Sequence, residues 1–593
     1  MNDNASTRDA RSPHAPEARS WRTATLAPFR SRVFLMIWSA SLASNFGSLI
    51  QAVGASWLMT SLAPSPDMVA MVQASSTLPI MLLSLLAGAV ADIWDRRLIL
   101  LIAQCSLFAV SATLAVATYL GMVTPWTLLA LTFLVGCGMA LYAPAWQSSV
   151  GEQVPRSDLP AAVALNALSF NVARTVGPAV GGTIVALAGP AAAFLVTSLS
   201  YVPLITALAF WRRPKPQSFL PPESIGSAMA AGLRYAYLSP AIRTVLVRST
   251  AFAICGSSLW ALMPLIARDL IGGGALTYGV LFATFGLGAV AGALANTQLR
   301  QRYRHEHLVQ AASIAFGLTT LIAALSSWPV LSIGVLFIGG AAWVLTLSTL
   351  NITVQINSPR WVVGRAMATY QMVTFGGMAV GSWFWGQVAA GYGLVTSLVI
   401  SGLAMAASAL LGYRLPLPQA EAVNLDPFRN WQDLQQQIGR VRDDGPVVVT
   451  IEYRIAPQDQ QAFMRAMREV RRIRRRDGAR RWTLLQDIGN PEIWIERFHS
   501  PTWIEHLRRR HRFTVADREI ERQALAFHRG DQPPKIRHLL ERSPEQAVES
   551  AESGAAPADA RTAITDPNVP ATDLSMAERR GCHPIETRSS GGK

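Results

Sequence analysis

The sequence predicts an all-α membrane protein, with twelve transmembrane helices in two parallel six-helix repeats, followed by a small cytoplasmic α+β domain. Three observations carry this. First, charge is badly mixed: of 52 Lys+Arg and 37 Asp+Glu in 593 residues, only 17 bases and 8 acids fall within residues 33–415. That is about 7% charged, against the roughly 25% of a soluble domain, and excludes a wholly soluble enzyme, a disordered chain or a fibrous repeat. Second, the stretch divides into apolar segments of the roughly 20 residues that cross about 30 Å of hydrocarbon. Third, alternate loops are basic.

In order along the chain, residues 1–32 are polar with scattered charge and no apolar h-region, so they read as a cytoplasmic tail rather than a cleavable signal. The first bundle, 33–211, holds spans at 33–61, 68–91, 98–119, 126–150, 162–188 and 190–211. A cytoplasmic linker follows at 212–244. The second bundle, 245–415, holds spans at 245–267, 276–299, 307–327, 329–354, 366–390 and 393–413. Arg96 and Arg97, Arg156, Arg212 with Arg213 and Lys215, Arg300 with Arg302 and Arg304, and Arg360 with Arg365 mark every second link. Basic short loops stay in the cytoplasm, so both termini are expected there, in the cell inner (plasma) membrane. The formal charge of +15 follows from this topology and a basic C-terminal region, and nucleic acid is not an expected partner. Cys105, Cys137 and Cys255 stand singly in apolar segments and Cys582 in a polar tail, a spacing that suits neither a disulfide nor a metal.

The two halves match at a constant offset of 204 positions. Gly88 with Asp92 and Arg96 falls on Gly292 with Asn296 and Arg300, Gly177 on Gly381, Gly182 on Gly386 and Gln147 on Asn351. An even number of spans per half makes the repeat parallel, as in transporters whose substrate site lies near the midplane between halves.

These residues resemble the major facilitator superfamily of secondary transporters. Its signature after the second helix, roughly G-x-x-x-D-R-x-G-R-R, stands here as Gly88, Asp92, Arg96 and Arg97, with Ile93 and Asp95 replacing Arg and Gly. Its exporter-type fifth-helix motif G-P-x-x-G-G is matched by Gly177, Pro178, Gly181 and Gly182, with Ala173 where an upstream glycine would stand. The phrase from Asn166 through Arg174 to Pro178 resembles the branch of enterobactin-type siderophore exporters and macrolide efflux proteins. The resemblance covers residues 25–415 and implies a transporter rather than an enzyme, no cofactor, and protons as coupling ion.

The resemblance also implies roles. Asp92 would hold a cytoplasmic gate with Arg365, aided by Arg96 and Arg97, although the two arginines could simply enforce topology. Gly177, Gly181 and Gly182 let a helix approach closely and Pro178 bends theirs. Arg174, a charge inside a span, is either a cationic wall for an anionic substrate or a partner of Glu152 or of backbone carbonyls. Asn45, Gln51, Trp146, Gln147, Trp260, Asn351 and Gln355 fall on the four helices that line the cavity in the resembling family; they suit a large amphipathic small-molecule substrate, or helix-to-helix hydrogen bonds. Glu152 and Asp92 are the acids available to carry a proton.

After a connector at 416–444 the composition turns soluble. Strand-like 447–455, a basic helix at 457–477, a hairpin around Gly489-Asn490-Pro491, a helix over 501–527 and a strand at 536–540 give the order βαββαβ, hence a ferredoxin-like domain over 445–541 that could mediate self-association. Arg468–Arg476 faces either anionic membrane lipid or solvent, and His499, His506 and His511 read as surface histidines rather than a metal site. Residues 542–593 are expected to be disordered. The functional expectation is proton-coupled efflux of a siderophore or amphipathic drug-like molecule; a transporter-shaped sensor or an importer on the same fold remains open.

Overall fold

The computed structural model describes residues 26–63, 65–155, 157–211, 225–418, 424–426 and 446–541. The expected disordered tail, most of the connector, residues 1–25 and the basic residues Arg156, Arg212, Arg213 and Lys215 lie outside the described residues. Two compact units divide the chain, Met1–His538 and Leu539–Lys593. All the described helices, and every strand except the end of the last, belong to the first unit.

Among the described residues, ten helical runs are long and apolar enough to cross a membrane. They begin with α1 (Arg32–Leu62), α2 (Pro66–Ile93), α3 (Arg96–Tyr119) and α4 (Pro125–Gln153). Starts are written locally: Ser31 accepts from the Phe34 amide, Asp95 from that of Arg97, and Thr124 forms a capping box with Thr127. Pro66 and Pro125 occupy first turns, where a missing N–H costs nothing.

The fifth run, Leu159–Phe210, has 52 residues and would be about 78 Å long if straight, more than twice the hydrocarbon thickness. It breaks at Gly189, whose φ of 79° and ψ of 171° are open to glycine and costly for other residues. Its first arm, α5 (159–188), meets the start of α1 where Trp38 Nε1 donates to the Leu165 carbonyl. The second, α6 (190–210), returns to the same end, where Arg97 Nε donates to the Leu208 carbonyl. The run is therefore a hairpin.

The linker expected at 212–244 contains a helix, α7 (Ile225–Leu238), and α8 begins at Pro240 rather than at 245. Helix α7 is too short to span a bilayer; it buries Ala231, Tyr235 and Ala236 on one face, with Tyr235 Oη donating to the Asn357 carbonyl. After α8 (Pro240–Leu265) comes a π-helical turn, Ile266–Leu270, then α9 (Ala275–Arg302), α10 (His305–Leu325), α11 (Pro329–Ile356), α12 (Val363–Tyr392) and α13 (Leu394–Ser408). At 30 residues α12 is long enough to cross but less apolar than the ten. It packs among them, with Trp385 Nε1 donating to the Ile254 carbonyl and Ser84 Oγ to that of Ala368.

The repeat is realised in space. Gly177 on α5 faces Leu49 of α1, and Gly381 on α12 faces Ile254 of α8; Gly182 on α5 faces α9, and Gly386 on α12 faces Asp67 and Ala70 of α2. Positions 204 apart thus touch corresponding helices of two sets, α1–α6 and α8–α13.

The α+β part contains β1 (Val447–Arg454), α14 (Gln460–Arg476), β2 (Arg480–Gln486), β3 (Ile493–Ser500), α15 (Trp503–Arg512), α16 (Val515–Leu525) and β4 (Lys535–Leu540). The sheet order is β2-β3-β1-β4, with β3 antiparallel to both neighbours and Val447 opposite Ser500. That is the expected α+β arrangement, except that the helix expected over 501–527 is two, parted where Thr514 caps α16 in a box with Asp517. The basic helix does not turn all its arginines outward: Arg474 pairs with Glu496 and Glu521, and Arg476 with Asp477 and Asp517, because buried carboxylates across the sheet and on α16 supply better partners than lipid or water. His499 and His506 are buried rather than on the surface, His506 stacked on Trp503; the His511 side chain lies outside the described residues. The domain seats on α7 and on the α11–α12 link, where Arg234 Nε donates to the Arg476 carbonyl, 3.2 Å away, and the Arg512 guanidinium lies 4.9 Å over the Trp361 ring.

Candidate functional site

The two ends of the helical bundle differ in how the six-helix sets meet. At the end away from Arg96 and Arg97, one continuous apolar cluster draws on both sets, Leu58, Met59 and Val69 of the first meeting Leu262, Phe282 and Met378 of the second. At the basic end the clusters segregate: one around Tyr142 and Leu204 and one around Phe34 and Val150 belong to the first set, and one around Val245 and Tyr370 to the second. The large shared apolar cluster lies away from the basic end, where the sets meet through smaller contacts such as Ser84 Oγ donating to the Ala368 carbonyl. Between them at the basic end lies a cavity of about 340 Å³, lined among others by Ser84, Gly88, Gln147, Gln355, Arg365 and Gln371.

Four expected residues therefore share one space: Gly88, Gln147, Gln355 and Arg365. Gly88 sits opposite Ala368 of α12, and the Arg365 side chain packs against Gly232 of α7. Asp92 lies in the last turn of α2, but its side chain is outside the described residues. Arg96 and Arg97 do not reach across. Arg96 Nη1 pairs with Glu152 Oε1 at 2.8 Å and donates to the Ser148 carbonyl, while Arg97 caps the Leu208 and Ala209 carbonyls at the end of α6. Both tie helices of the first set together, as free carbonyls at helix ends attract guanidinium donors.

Arg174 behaves differently from either partner reading. Glu152 is taken by Arg96, and among the described residues neither a carboxylate nor a carbonyl engages the Arg174 guanidinium. Instead it leaves α5 and lies 5.8 Å from the centre of the Trp260 ring on α8, in the other set. The indole Nε1 of Trp260 is itself buried without a hydrogen-bond partner. Around it stand Phe282, Phe285 and Trp343, with ring centroids 5.0–5.7 Å from that of Trp260. An unneutralised cation, a free N–H donor and aromatic faces are thus brought together between the sets, a combination suited to an anionic, aromatic-bearing molecule.

Other expected cavity residues turn elsewhere. Gln51 is buried and accepts from Ser111 of α3 at 2.6 Å, because six residues beyond Asn45 is about 240° further round the helix. Asn45 bonds Ser169 of α5, Trp146 stacks on Tyr142 within its own helix, and Asn351 accepts from Gln355. Of the fifth-helix glycines, Gly177 and Gly181 face α1 and only Gly182 meets the second set.

Sequence reading missed two charged sites. Arg248 is buried in α8 and forms a two-oxygen pair with Glu306 of α10, a carboxylate that also accepts the Leu417 amide; its place near the start of a span hid its burial. At the far end Arg268 pairs with Asp269 and reaches the Thr60 carbonyl of α1 at 2.7 Å, bridging the sets. Arg268 and Asp269 are the charges in the link between residues 267 and 276, which the alternation of basic links would leave uncharged, and that was the available signal.

The sequence profile described as transmembrane secretion effector matches residues 23–546, running past the helices through the α+β domain. The staphyloferrin A transporter of Staphylococcus aureus is 24% identical over 374 residues, 62% of this chain and 92% of that one. The multidrug efflux pump Tap of Mycobacterium tuberculosis is 23% identical over 398 residues, 65% and 94% of the two chains. The enterobactin exporter EntS of Salmonella choleraesuis is 25% identical over 334 residues, 55% and 78%. Among solved structures, an inward-facing, unoccupied bacterial homologue of the human lysosomal transporter Spinster superposes with a TM-score of 0.51 at 14% identity, covering 65% of this chain and 95% of that one.

Proposed function

As a member of the transmembrane secretion effector family of major facilitator transporters, the chain is a multi-pass membrane transporter, and we propose that it exports an anionic siderophore or amphipathic drug-like molecule by proton-coupled alternating access. The Gly189 hairpin counts as two crossings and α12 as one, which brings the total to twelve. The basic end faces the cytoplasm, with both termini. Apolar burial shared by the two sets at the far end, and a cavity lined by residues of the basic end, support a carrier that loads from inside.

One observation carries the substrate class: Arg174 beside Trp260, a cation that among the described residues has no carboxylate partner, between two helix sets. Such a charge is costly until an anion arrives, so loading the substrate neutralises the interface between the sets. Relatives that carry staphyloferrin A, export enterobactin or expel drugs support this reading and its direction. Gly88, Asp92 and Arg365 form the inner gate; of the two acids considered for the proton, Glu152 is held by Arg96, and Asp92 remains.

The test uses inside-out proteoliposomes with an imposed proton gradient and enterobactin or a macrolide as probe. Gradient-dependent uptake is expected, abolished in Arg174→Ala and partly kept in Arg174→Lys. Binding without flux would instead favour the sensor, which the seating of Arg512 on Trp361 already suggests as a second reading; flux in the opposite direction would make it an importer.

A further inference from the structure

We propose that the α+β domain holds a buried binding site for a small oxyanion, a carboxylate or phosphate group, formed by Arg509 and His506 of α15. The site is a pocket of about 70 Å³ between the sheet and the helices, with Val449, Ile451, Phe498 and Phe513 as apolar walls and His538 at one side. That is room for about five water-sized groups, enough for one small anion.

Other buried cations of this domain are matched by carboxylates. Arg474 meets two, Glu496 and Glu521, and Arg476 meets Asp477 and Asp517. Arg509 is only 8% exposed, lies 4.1 Å over the Phe498 ring, and among the described residues pairs with no carboxylate. Its Nε has no hydrogen-bond partner. A lone buried guanidinium costs several kcal/mol of desolvation without compensation, so a counter-charge is what the site lacks. Asp477 and Glu521 also line the pocket, but each is already claimed by an arginine.

His506 completes the geometry. It is 1% exposed, and its Nδ1 faces Arg509 Nη2 at 3.5 Å. Facing a guanidinium, which only donates, Nδ1 must accept, so the ring proton sits on Nε2. That Nε2 also has no partner. Two N–H donors, Arg509 Nε and His506 Nε2, are therefore left unmatched at one pocket, the complement of an oxyanion's lone pairs. Burial, then the nearby Arg474 cation, pulls the Arg509 guanidinium down to about 9, even though the Asp477 and Glu496 carboxylates partly offset them.

The full-length protein in nanodiscs, titrated calorimetrically with phosphate and separately with acetate at constant ionic strength set by chloride, tests this. Saturable binding of one anion per chain is expected, and whichever salt binds identifies the class. Arg509→Met should weaken it at least about tenfold, one charge-assisted contact's worth, and should unfold at a higher temperature than the parent in anion-free buffer. If that variant fails to fold, His506→Phe, which keeps the arginine, should still weaken binding. No binding above the chloride control, or binding untouched by both substitutions, would overturn the proposal.

Discussion

Gly182 of α5 and Gly279 of α9 approach so closely that a Cβ on either would lie 2.9 Å from the other's Cα. The two six-helix sets thus touch backbone to backbone at a point where the proposed alternating access would make α5 and α9 slide or part.

Gly182→Val should therefore wedge α5 from α9. Overpacking of this kind costs about 1–3 kcal/mol, which a membrane bundle survives, so protein level should hold while flux in proteoliposomes falls. Gly181→Ala, against α1 within the same set, should cost less transport. Equal loss in both would mean that the first set's integrity, rather than the contact between sets, is at stake.

The Arg96–Glu152 pair is partly shielded, with side chains 25% and 15% exposed. Glu152→Gln should lower the melting temperature in detergent, and Arg96→Gln more, since it also frees the Ser148 carbonyl. The double variant should be less destabilised than the sum, by a coupling of about 1 kcal/mol. Additive effects would show that the two act separately.

His506 gives the α+β domain a defined acid sensitivity. Burial first, then the cations of Arg509, Arg510 and Arg474 and neighbouring His538, hold its imidazole far below the ordinary histidine range. Above pH about 6.5 neither the folded nor the unfolded state binds this proton; below it the unfolded state does and the folded state does not, so stability falls by up to about 1.4 kcal/mol per pH unit. Hydrogen exchange of the β1 and β3 amides at pH 7 and pH 5 should show the loss, and His506→Phe should flatten it.

The sequence alone determined what depends on composition and period. Apolar segments as long as a bilayer is thick, basic residues in alternate links and a 204-residue echo are one-dimensional signals, and each maps onto helices, ends and paired glycine contacts. The βαββαβ order was legible for the same reason, since strand alternation and helical spacing are local. The tertiary structure decided partnership. Whether Glu152 answers Arg96 or Arg174, whether Gln51 faces substrate or Ser111, and whether His506 meets solvent or Arg509 depend on the direction each side chain takes around its helix and on what another element brings opposite. A few tens of degrees of helix rotation separate these outcomes, and that rotation is fixed by packing across the whole bundle rather than by neighbours in the chain.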